Sequence, residues 1–111
     1  KKILIMPLPT KSKLHVPLWY TVGFVFGWKF FFKSLKNFLN NNKYFYLLFH
    51  PADFTSNQDI SFKHKNYLQR FNIPLDEKIK NLKKVFEMIS ESKRKCLKMY
   101  ELADYYKKKI I

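Results

Sequence analysis

Apolar residues recur along this chain with two different periods. Between Phe24 and Leu39 they fall at steps of three and four (Phe24, Trp28, Phe31, Phe32, Leu35, Phe38, Leu39), with Lys29, Lys33, Lys36 and Asn37 set apart from them. That spacing lines one side of a helix and predicts an amphipathic segment. Gly23 and Gly27 weaken helix propensity at its start, so two pieces with a bend or close backbone contact near them are expected. Asn40, Asn41 and Asn42 then predict a turn. A second stripe, Ile79, Leu82, Val85, Phe86 and Ile89, lies opposite Lys78, Lys80, Lys83, Lys84 and Glu87 and predicts a core-facing helix that Asp76 caps. Leu102, Ala103, Tyr105 and Tyr106 fit one side of a last helix, and its closing Lys107, Lys108 and Lys109 suit the negative end of a helix dipole.

The remaining apolar runs are continuous and short, as strands are. Residues 3–6 end at Pro7 and Pro9, and residues 10–17 form a polar loop containing His15. Tyr44 to His50 carries no charge and is rich in aromatics, the pattern of a strand covered on both faces. Pro51 has no amide proton to continue a ladder, so the strand is expected to stop at His50 and leave its imidazole at a sheet rim. Cys96 and Leu97 fit a third short strand. Strand and helix alternate, which implies right-handed βα units, an α/β class and about three parallel strands. Residues 51–75 make a long connection holding Asp53, Asp59 and His64, and connections of that length are often functional.

Composition narrows the classes of function. The 111 residues carry a formal net charge of +14. Such a charge ordinarily points to nucleic acid or an anionic membrane. Yet Arg70 and Arg94 are the only arginines, whereas base-edge and phosphate recognition favours the guanidinium fork. Most of the lysine therefore reads as a solvated coat with nonspecific polyanion affinity. Val16 to Trp28 is uncharged but shorter than the roughly 20 residues a membrane span needs, which makes a transmembrane helix a poor reading. The basic aromatic helix after it also suits a membrane surface, with a core-facing role favoured. No signal-peptide pattern is visible in the first apolar run, which prolines and lysines interrupt. Cys96 is the sole cysteine, so no intrachain disulfide or cysteine metal cluster forms, and its expected state is buried. With Gly23 and Gly27 the only glycines, no glycine-rich phosphate loop exists.

The chemistry concentrates at His50. A histidine at a strand end either caps the strand or transfers protons there, and Asp53 either orients that ring or caps the following turn. His15 and His64 lie in separate loops, His64 between two lysines, so no spacing matches a recognised metal-ligand pattern. Trp19, Tyr20 and Trp28 can stack on sugar rings, although aromatics this frequent are usually core.

The residues Leu47-Leu48-Phe49-His50 fit an L-x-x-H element, and Pro51-Ala52-Asp53-Phe54 continues it as HP-x-D-F. In this the chain resembles the C-terminal part of polysaccharide deacetylases of the NodB-homology class. The opening Ile3-Leu4-Ile5-Met6-Pro7-Leu8-Pro9 and the closing Cys96-Leu97-Lys98-Met99-Tyr100-Glu101-Leu102-Ala103 are similar to the family's flanking elements in the same order. The resemblance implies a partial (β/α) barrel, because a closed one typically needs about 250 residues. Residues 1–111 would be a single incomplete domain that self-associates or awaits an N-terminal barrel part. It also implies hydrolysis of acetyl groups from N-acetylated glycans, with His50 as general acid and a divalent metal, zinc by expectation. The family's T-F-D-D and H-x-x-x-H metal and base elements are absent here, so no metal is expected in this chain and activity alone is in doubt. The alternative is a small basic module without chemistry that binds acidic polymers or membrane surfaces.

Overall fold

A computed structural model of the chain describes residues 3–6, 10–11, 16–59 and 72–110. In chain order these form β1 (Thr10–Lys11), β2 (Val16–Pro17), α1 (Thr21–Phe26), α2 (Trp28–Asn41), 3-10 turns at Pro51–Asp53 and Asn57–Asp59, α3 (Leu75–Glu91) and α4 (Met99–Ile110). Among the described residues the architecture is helical, with β1 and β2 paired antiparallel as the single two-stranded sheet.

The α/β reading is thereby corrected: among the described residues there is no partial (β/α) barrel and no set of three parallel strands. Residues 3–6, 44–50 and 94–98 belong to no regular strand. A strand persists only where a neighbour supplies matching backbone donors and acceptors. For the Tyr44 to His50 run the described ladder amounts to one isolated parallel bridge between Trp19 and Leu48, closed by the Tyr20 N–H donating to the Leu48 carbonyl at 2.9 Å. The first apolar run is tied to it by a side chain instead, the Tyr46 hydroxyl donating to the Met6 carbonyl at 3.0 Å. Aromatic bulk in 44–50 therefore packs against helices rather than between sheet faces.

The helical expectations fare better. The chain breaks at Gly27, whose φ of +89° is a region that glycine enters without a Cβ penalty. Beyond it α2 buries Phe31, Leu35, Phe38 and Leu39 and exposes Lys29, Lys33 and Lys36 on the opposite side. The helix runs through Asn40 and Asn41, and Asn42 leaves it in an extended conformation while its N–H bonds the Phe38 carbonyl. α3 presses Val85 into the core, which also contains Leu18, Tyr20 and Val22. Phe86, assigned to the apolar stripe, is instead 56% exposed, because it sits on the flank of the face that Val85 centres. Asp76 does not cap α3; it lies with Glu77 in the first turn after Pro74, where a carboxylate still suits the helix dipole. Glu101 caps α4 by accepting the Lys98 N–H at 2.7 Å. Cys96 is exposed, since the strand meant to bury it does not form.

Arg94 joins these pieces. Its guanidinium donates to the Lys43 carbonyl at 3.0 Å and to the Leu39 carbonyl near the end of α2, and stands 5.7 Å from the Phe45 ring centre. The planar fork thus ties the α2 C-terminus to the segment leading into α4.

Candidate functional site

His50 is extended (φ −113°, ψ 149°), and Pro51, with no N–H to place, opens the 3-10 turn Pro51–Asp53 directly after it. The turn closes through the Asp53 N–H donating to the His50 carbonyl at 2.9 Å. In return Asp53 Oδ2 accepts the His50 backbone N–H at 2.8 Å, and the His50 side chain faces the Asp53 N–H, a reciprocal cap. Asp53 thus caps the turn, and its Oδ2 lies 3.8 Å from His50 Nδ1.

Thr21, at the start of α1, completes the arrangement. Its hydroxyl donates to Asp53 Oδ1 at 3.2 Å and lies 3.1 Å from His50 Nδ1. Asp53 is fully buried, while 43% of the His50 side chain is exposed. The Thr21 hydroxyl and the Asp53 carboxylate both approach the imidazole at Nδ1, and the ring remains partly exposed. The Trp19 and His50 rings lie 5.6 Å apart between centres in a T-shaped arrangement, so that Trp19 walls one flank. The parallel bridge between Trp19 and Leu48 brings these two segments alongside one another.

Beneath the site lies Tyr20, buried completely and ringed by Phe24, Trp28, Phe31, Phe49 and Phe54. Its hydroxyl donates to the Lys78 carbonyl at 2.8 Å. Burial, and then the negative charge of Asp53, push the phenol above its ordinary pKa and keep it protonated as a donor. Lys78, placed on the polar side of α3 by the sequence pattern, is in fact fully buried. Its ammonium donates to the Thr55 carbonyl and stands 5.8 Å from the Phe24 ring centre. This links α3 to the loop that follows the His50 turn. Asp59 in the same loop accepts from the Ser56 N–H at 2.9 Å and hydroxyl at 2.7 Å, which hold its carboxyl below the usual range.

Of the sequence-predicted site residues, the structure brings His50 and Asp53 together; His15 and His64 lie outside the described residues. Tyr20 and Trp28 belong to the packed aromatic cluster, and only Trp19 among the proposed stacking aromatics borders His50. Thr21 and Lys78 were missed. Thr21 meets Asp53 across 32 positions of sequence, and no local spacing announces such a pair.

A divalent metal does not fit here. Among the described residues no three His, Cys, Asp or Glu side chains converge, and both Asp53 carboxylate oxygens already accept hydrogen bonds. Among those residues, too, no helix is long and apolar enough to cross a membrane. Comparison with known proteins returned no matching family model, no matching curated protein and no matching solved structure.

Proposed function

We propose that this chain supplies the proton-transfer part of a polysaccharide deacetylase-like hydrolase acting on N-acetylated glycans, with His50 as general acid. The observation that carries the reading is a partly exposed imidazole held at Nδ1 beside a buried carboxylate, on the motif Leu47-Leu48-Phe49-His50-Pro51-Ala52-Asp53-Phe54. Amide hydrolysis needs such a group. Water adds to the acetyl carbonyl, the C–N bond of the resulting tetrahedral intermediate breaks, and the amine departs only if a proton reaches its nitrogen. His50 Nε2 delivers that proton, acetate is the other product, and Trp19 offers a flat wall beside the reacting sugar. Activation of the water belongs to a second, metal-bearing portion on the same polypeptide or a partner, because the described residues offer no metal site.

The test is reconstitution. Supplied with that portion, the chain should release acetate from an N-acetylglucosamine oligomer, and His50→Ala should lower turnover by ~10² or more. Turnover indifferent to the substitution would remove His50 from the chemistry.

A second reading is favoured by a separate observation. The first 50 residues hold eight lysines and no acidic residue, and Lys29, Lys33 and Lys36 line the exposed side of α2 near the exposed Val25 and Phe26. A basic module that docks on acidic polymers or membrane headgroups uses such a surface without catalysis.

A further inference from the structure

We infer that Thr21 is a positioning residue that, with Asp53, fixes the proton of neutral His50 on Nδ1 and so leaves the Nε2 lone pair as the working atom. This rests on the general-acid reading for its use in catalysis, but not for its measurement. The argument is one of donors and acceptors. A threonine hydroxyl has a single proton, and here it goes to Asp53 Oδ1, an oxygen that can only accept while ionised. The Thr21 oxygen then offers lone pairs to His50 Nδ1 at 3.1 Å. Two lone pairs cannot bond each other, so a proton on Nδ1 completes the chain from imidazole to hydroxyl to carboxylate.

One influence opposes this. The turn directs the Asp53 backbone N–H toward the His50 side chain, which favours a bare Nδ1. That N–H is already committed to the His50 carbonyl at 2.9 Å. Against it stand the hydroxyl oxygen and a buried carboxylate 3.8 Å from Nδ1, whose negative charge stabilises an N–H dipole pointed at it. The hydroxyl oxygen, within hydrogen-bond reach of Nδ1 and itself oriented by the carboxylate, outweighs an N–H shared with the carbonyl, and the proton stays on Nδ1. Nε2 then takes up a proton to form the acid and passes it to the leaving amine, and the ring returns to the same tautomer at each cycle.

The experiment is long-range proton–nitrogen correlation NMR on the full chain with nitrogen-15 histidine, read on the neutral limb of a pH titration. His50 is assigned by the signals lost in His50→Gln, and no substrate is needed. In the parent chain Nδ1 should carry the proton and Nε2 should show the shift of an unprotonated ring nitrogen. Thr21→Ser should preserve that pattern. Thr21→Val should average the two nitrogens, since the oxygen that held the ring is gone. Asp53→Asn should reverse it: the new amide donates to Thr21, whose hydroxyl turns to donate to Nδ1, moving the ring proton to Nε2. If Thr21→Val does not fold, the parent, Thr21→Ser and Asp53→Asn spectra carry the test. A parent His50 protonated at Nε2, or an Asp53→Asn ring that keeps its proton on Nδ1, overturns the assignment. Loss of the reconstituted activity's dependence on His50 would instead overturn the general-acid role and leave the tautomer standing.

Discussion

Gly23 sets two effects of comparable size against each other. It occupies the third position of α1, where alanine would ordinarily favour the helix by up to about 1 kcal/mol. A Cβ built there, however, would lie 2.5 Å from Cε3 and 2.7 Å from Cη2 of Trp28, and closer still to Cζ3. The indole has little room to yield, because its ring centre is 4.9 Å from that of Tyr20, 5.0 Å from Phe24 and 5.7 Å from Phe31. Overpacking of this kind costs typically about 1–3 kcal/mol, and each disturbed aromatic pair adds on the order of 0.5–1.5 kcal/mol. Gly23→Ala should therefore destabilise by about 1–2 kcal/mol net, a loss of roughly 5–10 °C in Tm for a domain of this size. Thermal and urea unfolding followed by circular dichroism would read it. In a Trp28→Ala background the same change should cost little or become favourable, so that the double mutant is less destabilised than the sum of the two single changes. Gly27→Ala should also destabilise by about 1 kcal/mol, but through its φ of +89° with open space around it, and independently of Trp28. A Gly23→Ala chain as stable as the parent would refute the close approach of α1 to the indole.

Tyr105 is held below its ordinary pKa of 10.0, down to about 8, by a hydrogen bond with Tyr44, then by a bond to Lys109 and by the charges of Lys109 and Lys43. Its contribution to stability is thus full above the ordinary tyrosine value and lost as the pH falls through about 8; a tyrosinate absorbance step near that pH, raised by Lys109→Ala, is the expected result. Leu35→Ala, at a fully buried position on α2, should lower the free energy of unfolding by about 2–5 kcal/mol in denaturant titrations, and a change under 1 kcal/mol would exclude it from the core. Binding to DNA or RNA should be indifferent to sequence and fall steeply between low and high salt, because Arg70 and Arg94 are the only guanidinium groups and Arg94 is engaged by backbone carbonyls. Val25, Phe26 and Phe86 are 69%, 59% and 56% exposed, so the chain should associate at high concentration, and light scattering should report less of it for Phe26→Ser.

The helices were legible because each carries its evidence locally. Phe31, Leu35 and Phe38 repeat at helical steps and are buried, Gly27 is where α1 and α2 part, and the Ile79 to Ile89 stripe became α3. Pro51 ended the aromatic run, and Asp53, three residues beyond His50, formed the reciprocal cap that its spacing allows. These are consequences of backbone chemistry and of side chains within a turn or two of one another.

The strands were misread because a strand is not a local object. Tyr44 to His50 has the composition of a buried strand, but ladder formation depends on neighbours, and its described pairing is the single bridge to Trp19. Lys78 looked solvated because its periodicity sets it among lysines, yet the Thr55 carbonyl and the Phe24 ring close over it from elsewhere in the chain. Thr21 had no signal at all until α1 was set against the His50 turn. The sequence by itself determined that the stretches up to Leu39 and from Ile79 to Ile89 are helical with a break at the glycines, and it set a histidine and a carboxylate three residues apart across Pro51. Only the tertiary structure decided what faces that histidine, because hydrogen-bond partners and burial follow from contacts between distant segments, and their free energy is absent from any short stretch of residues.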